Sequence, residues 1–183
     1  MKYSFLVPLI LGFAFDATSA FTSAFSRRWG VTRGRLASVI LRNVLGIPLW
    51  VVGLVFAVRA PSQALFAETS QATVLGWFLT ISGCVAQLLA LWAIRLPAAA
   101  PSQHDALVAS GIYRYVRHPI YAGLLLQFVA VVIAKPRVAT ALASALGIVW
   151  VHVQARLEEL DLLQRMPAYR EYMRRVPRFV PAF

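Results

Sequence analysis

Three tyrosines, two arginines and a histidine fall within nine residues, Tyr113 to Tyr121, and the chain then runs into the apolar stretch Leu124 to Ala134. Guanidinium and imidazole groups can hold an anion, while phenols donate hydrogen bonds and offer aromatic faces to a cation or a flat ring. Pro119 suits the first turn of a helix, because its missing N–H would be unpaired there anyway. Arg117 and His118 therefore stand at a helix N-terminus, where free backbone N–H groups and the dipole draw negative charge. Glu158 and Glu159 follow the apolar run Val138 to Gln154. Negative charge is mildly unfavourable at a helix C-terminus, so an adjacent glutamate pair there wants a cation. If both clusters share one side, a zwitterionic amino-acid group satisfies both, its carboxylate at Arg117 and His118 and its ammonium at Glu158 and Glu159. The residues leave a second reading open. Arginines and tyrosines also serve as interfacial anchors, and the glutamates can pair with Arg156, Arg165 or Arg117.

Positioning these groups is a task for membrane helices. The chain of 183 residues is 60% hydrophobic and 14% charged, with a mean hydropathy of +0.68. A soluble domain carries about 25% charged residues. The net charge of +11 does not indicate nucleic acid, because the basic residues lie in short loops between apolar runs. Cys84 is the sole cysteine, so no intrachain disulfide forms. His104, His118 and His152 have no metal-ligand spacing, and there is no Gly-rich phosphate loop. Asp16, Gln87 and Gln127 are too sparse to line a channel.

About five spans are expected, each of about 20 residues, in an all-α integral membrane bundle with a helical cap at its C-terminal end. Lys2, the run Phe5 to Phe15 and Thr18-Ser19-Ala20 imitate a cleavable signal peptide. The apolar character resumes after Asp16, which favours a retained first span, Ser4 to Phe25. Asp16 inside it is a functional-site candidate, although a partner arginine on another helix is the plainer expectation. The second span is Leu36 to Val58, kinked at Gly46-Ile47-Pro48. The third is Ala72 to Ile94, where Gly76, Ser82 and Gly83 permit close packing and Gln87 bonds a neighbouring helix. A loop with His104 and Asp105 follows. The short runs Pro119 to Ala134 and Val138 to Gln154 then form a hairpin through Lys135-Pro136-Arg137. From Ala155 the chain is amphipathic and charged until Met166-Pro167 stops that helix, and a short helix Ala168 to Arg175 closes the chain.

The positive-inside rule orients this arrangement. Arg27, Arg28, Arg33, Arg35 and Arg42 share one side with Arg114, Arg117 and the C-terminal arginines. Lys2, Arg59, Lys135 and Arg137 lie on the other. The Tyr113–Tyr121 stretch and Glu158/Glu159 are thus expected together on the cytoplasmic face.

The segment Gly111-Ile112-Tyr113-Arg114-Tyr115-Val116-Arg117-His118-Pro119-Ile120-Tyr121-Ala122-Gly123 resembles the G-x-Y-R-x-x-R-H-P-x-Y-x-G motif of the isoprenylcysteine carboxyl methyltransferase family, which phospholipid methyltransferases share. Arg156, Glu158, Glu159 and Leu162 match its R-x-E-E-x-x-L motif. Tyr169, Tyr172, Val176, Pro177, Arg178 and Pro181 match its Y-x-x-Y-x-x-x-V-P-R-x-x-P motif. Met166-Pro167-Ala168 departs from the family's usual Phe-Gly turn. Residues 72–183 carry this resemblance within a single unit, 1–183, and residues 1–70 carry no family mark.

The resemblance implies S-adenosylmethionine as methyl donor and a lipophilic acceptor arriving from the bilayer, with membrane lipids as the surroundings. It implies cofactor contacts from Gly111, Tyr113, Arg117, His118, Pro119, Tyr121, Glu158 and Glu159. Glu159 and Arg156 are the catalytic candidates, Arg156 to orient the acceptor, and no metal is expected. The alanine- and arginine-rich composition suggests a bacterial inner membrane. Competing readings are a membrane sterol-type reductase using NADPH, which has comparable C-terminal motifs, and a non-catalytic scaffold.

Overall fold

A computed structural model describes residues 3–98 and 107–181; His104, Asp105 and Lys2 lie outside the described residues. The chain is an all-α bundle: α1 (Leu6–Ser19), α2 (Thr22–Trp29), α3 (Val31–Val39), a π-helical segment (Ile40–Gly46), α4 (Ile47–Arg59), α5 (Ser70–Ala98), a 3-10 turn (Gly111–Arg114), α6 (Pro119–Ala134), α7 (Val138–Arg165) and α8 (Tyr169–Arg175). The stretches Val31–Arg59, Ser70–Ile94 and Val138–Arg165 are each long and apolar enough to cross a bilayer. The α1–α2 pair passes the same test as a bent unit, and α6 is a shorter apolar helix. Its 16 residues reach only about 24 Å.

The first expected span is broken. α1 and α2 meet at a bend of 63°. Thr18 Oγ1 donates to Ala14 O at 2.7 Å and Ser19 Oγ to Asp16 O at 2.6 Å. Such back-bonding competes with the helical ladder and bends helices. Asp161 of α7 holds the new start, its Oδ1 accepting the Ser23 N–H at 2.9 Å. The second span, by contrast, continues past Pro48. The ring lacks an N–H and crowds the preceding turn, and the wider π turns of Ile40–Gly46 absorb that mismatch. Glycines bring α1 against this second span: a Cβ on Gly12 would lie 2.3 Å from Trp50 N, and one on Gly46 would lie 2.9 Å from Asp16 Cβ.

α5 and α6 approach as closely. A Cβ on Gly83 would stand 2.6 Å from Gly123 O, and one on Gly123 2.5 Å from Gly83 O. Gly76 likewise faces Ala134, whereas Ser82 bonds back to Phe78 O and takes no part in the contact. Gln87 and Gln127 exchange reciprocal amide bonds at 3.2 and 3.1 Å, as expected for a polar pair that must be satisfied in hydrocarbon. The core joins Phe5, which precedes α1, and Leu9 and Phe13 of α1 to Trp50, Phe128 and Trp150. The Phe13 and Trp150 rings stack at 4.7 Å. The outward face of α5, with Val74, Trp77, Phe78 and Trp92 exposed, suits lipid.

α7 corrects the expected boundary at Ala155. It is one helix of 28 residues, so the charged stretch continues the span instead of forming a separate element. At its start, Leu65 N–H donates to Pro136 O at 2.7 Å and Val138 N–H to Gln63 O at 3.0 Å, tying the α4–α5 loop to the α6–α7 turn. At its end Met166 is the C-cap, and Tyr169 N–H returns to Met166 O at 3.0 Å. That turn starts α8 without the family's usual glycine.

Candidate functional site

The two clusters meet at the end of the bundle away from that loop. Glu159 is fully buried and surrounded by basic side chains: Arg178 Nη2 at 2.6 Å, Arg117 Nη2 at 3.2 Å and His118 Nε2 at 3.3 Å. Arg178 Nε adds a second bond at 3.0 Å. The C-terminal segment also runs along the R-H-P loop. Arg117 N–H donates to Pro177 O at 2.9 Å and His118 N–H to Arg178 O at 3.1 Å. These two amides, expected to be free for an anion, are therefore spent on the chain itself. The partnership of Glu159 with Arg117 realises the internal-pairing reading that the sequence left open.

Glu158 behaves differently. Its Oε1 accepts from the Tyr121 hydroxyl at 2.5 Å and from Gln154 Nε2 at 3.2 Å, and its Oε2 lies 3.9 Å from His118 Nδ1. The His118 imidazole thus stands between the two glutamates and stacks on Tyr121. Glu158 faces a cavity of about 840 Å³ that Tyr113, Arg117, His118, Pro119 and Tyr121 also line. Tyr169 and Tyr172 close it from α8, and Asp16, Arg42, Asn43 and Trp50 from the N-terminal helices.

Six of the expected site residues therefore share one cavity: Tyr113, Arg117, His118, Pro119, Tyr121 and Glu158. Three stand elsewhere. Glu159 lies behind the wall as the ionic centre that fixes Arg117 and His118. Arg156 is exposed on α7, its Nη1 3.9 Å from Glu159. Gly111 opens the 3-10 turn at φ +60°, a left-handed conformation that favours glycine, and a Cβ there would press on Ala93 at 3.3 Å. It shapes the turn that presents Tyr113.

Burial pushes the Tyr113 hydroxyl up from its ordinary range, with the Glu158 charge adding to the effect. Burial likewise raises Tyr169 and pushes Tyr172 up to about 12. These phenols stay protonated at neutral pH and act as neutral donors; Tyr172 uses its proton on Tyr113 O at 2.6 Å. Asp16, a functional-site candidate from sequence, lines this cavity, whereas Trp50, Trp150, Asp161 and the pairing role of Arg178 were not legible as parts of this site. Only the recurrence of arginine in the V-P-R motif signalled one of them.

The helical membrane bundle thus encloses an aromatic-lined cavity near one end, with charged groups on its wall. The phospholipid methyltransferase family profile matches residues 71–169, over half of the chain, and the chain belongs to that family. It is an integral membrane methyltransferase. No curated protein and no solved structure matches it.

Proposed function

We propose that the chain transfers a methyl group from S-adenosylmethionine to a lipophilic acceptor that reaches the cavity from the bilayer. The observation that carries this reading is the meeting of the R-H-P loop and Glu158 on one cavity within the family-matched segment. The residues present fit the donor. Arg117 and Arg178 bring two positive charges to the single Glu159 carboxylate, leaving a surplus that suits a ligand carboxylate. The buried Nε of Arg117 has no hydrogen-bond partner among the described residues. Glu158 is the carboxylate placed to receive an ammonium, and Tyr113 and Tyr121 offer faces to an adenine ring. At about 840 Å³ the cavity lies within the range of about 300–1,000 Å³ usual for small-molecule sites.

When bound, the donor supplies an electrophilic methyl on a sulfonium. The protein's part is to align the acceptor with it and exclude water. His118 fixes the wall between Glu158 and Glu159. Pro177 and Arg178 hold the R-H-P loop closed. Arg156, on the outer surface of α7, suits a contact with an acceptor before it enters the cavity. The arginine-rich end then faces the cytoplasm of a bacterial inner membrane. The family description names phospholipids; an isoprenylcysteine-type carboxylate is the competing acceptor.

Calorimetric titration of detergent-purified protein tests the donor. S-adenosylmethionine binding to wild type, lost in His118→Ala and Glu158→Ala, supports the reading. Binding of NADPH in its place indicates a sterol-type reductase, and binding of neither indicates a scaffold.

A further inference from the structure

The family match begins at residue 71, yet part of the cavity wall comes from before it. Asp16 lies on α1, 4% exposed, and lines the cavity. No ion pair among the described residues engages its carboxylate. Trp50 of α4 and Ser19 lie beside it; the charged groups that act on it are Glu158 of α7 and Arg42 of the π-helical segment, and Asp16 in turn acts on Tyr121 of α6. The absence of a Cβ on Gly46 makes room for it. A second observation points into the same space. The Trp150 indole N–H is buried without a hydrogen-bond partner among the described residues, and Trp150 lines the cavity. Burying a carboxylate is costly even where a nearby guanidinium such as that of Arg42 offsets part of its charge, and π-helical insertions often mark functional positions.

We propose that Asp16 is a catalytic residue of the acceptor subsite, where it holds a protonated amine on the acceptor and takes its proton. This rests on the methyltransferase reading above. Two carboxylates, Asp16 and Glu158, with the indoles of Trp50 and Trp150 form the part of the lining that favours an organic cation, while Arg42 beside them suits the anionic group such an amine carries with it. The resting ammonium has no lone pair. Asp16 accepts one N–H proton, and the N–H electron pair stays on nitrogen. That pair forms the new bond to the methyl carbon as the carbon–sulfur bond breaks, its electrons remaining on sulfur. The product is a methylammonium, and Asp16 returns its proton to water through the cavity mouth.

The test compares wild type, Asp16→Asn and Asp16→Glu in detergent. The acceptor probes are dihexanoyl phosphatidylethanolamine, free phosphoethanolamine and dihexanoyl phosphatidic acid. Tryptophan fluorescence reads acceptor binding without donor, calorimetry reads S-adenosylhomocysteine binding, and labelled methyl transfer reads turnover. Asp16→Asn is expected to bind S-adenosylhomocysteine normally. It should bind the amine lipid about tenfold or more weakly and turn over about 100-fold or more slowly. Asp16→Glu, which keeps the charge but misplaces it, retains amine binding within a few-fold and loses kcat. Should Asp16→Asn fail to fold, the kcat of Asp16→Glu decides. Amine binding and turnover within threefold of wild type in the variants, or wild-type transfer to phosphatidic acid in preference to both amines, overturns the proposal. Activity on phosphoethanolamine alone supports Asp16 with a soluble amine, and activity on the lipid alone supports it with a lipid headgroup. Failure of wild type to bind S-adenosylhomocysteine instead overturns the methyltransferase reading on which the proposal rests.

Discussion

Each end of the bundle is fastened by one carboxylate among basic side chains. At one end Glu68 gathers Lys135 at 2.8 Å and Arg137 at 3.2 Å; at the other Glu159 gathers Arg178, Arg117 and His118. The topology is alike, since each carboxylate joins segments distant in sequence. The difference is water. The Glu68 side chain is 35% exposed and that of Glu159 is 0% exposed. Solvent-exposed pairs contribute about 0–1 kcal/mol, whereas removing one member of a buried cluster strands the others and costs about 3–5 kcal/mol. The same arrangement is a loose tether where water reaches it and a structural requirement where it does not. The cavity is built beside the second kind.

Glu159→Gln should give the largest effect, destabilising the protein by about 3–5 kcal/mol in a reversible unfolding titration. A value near that of an exposed pair would break the contrast. Arg178→Ala leaves Arg117 and His118 on Glu159 and should cost about 1.5–3 kcal/mol, with faster amide exchange at His118 because its acceptor segment is freed. Glu158→Gln sharpens the contrast between neighbours. It should alter stability by less than about 1 kcal/mol while weakening S-adenosylmethionine binding about tenfold or more. Glu68→Gln should change stability least of the four, because water screens its pairs with Lys135 and Arg137. Hydrogen bonds from Lys135 and Arg137 hold the Glu68 carboxyl below its ordinary 4.5. Its contribution is therefore complete above that value and is lost as pH falls through the lowered one. Amide exchange at Leu65, which bonds Pro136, should rise over that acidic window.

Helices were legible wherever a run of apolar residues does the same job throughout its length, as in α5 and α6. Boundaries set by side-chain bonding were not. The break after Ser19 arises from hydroxyls bonding back to the turn above and from Asp161 supplying a distant cap. Pro48 reads as a kink in sequence, and the π-helical stretch before it, from which the helix runs on to Arg59, was not foreseen. Val138–Arg165 reads as two elements because its composition changes where the helix passes from apolar surroundings to a charged interface. At the site, the motifs singled out the wall residues, and Gln87 met a helix neighbour as read. Sequence could not separate Glu158 from Glu159. Adjacent residues on a helix point about 100° apart, and only the packed neighbours decide which one faces the cavity. Asp16 stood out as an ionisable group at depth but could not be tied to this site, and Trp50 was invisible, for a related reason: their part in the site depends on how α1 and α4 fall against α7.

Arg178 follows Glu159 by 19 positions, and Pro177, which receives the Arg117 amide, immediately precedes it. Translation therefore delivers the closing pair after every group that it closes upon. A nascent chain inserted as far as α7 carries Glu159 with Arg117 and His118 but without Arg178 at its best-placed oxygen. Acquisition of the finished site is thus a late event in biosynthesis, timed by the order of the codons as well as by the order of the helices.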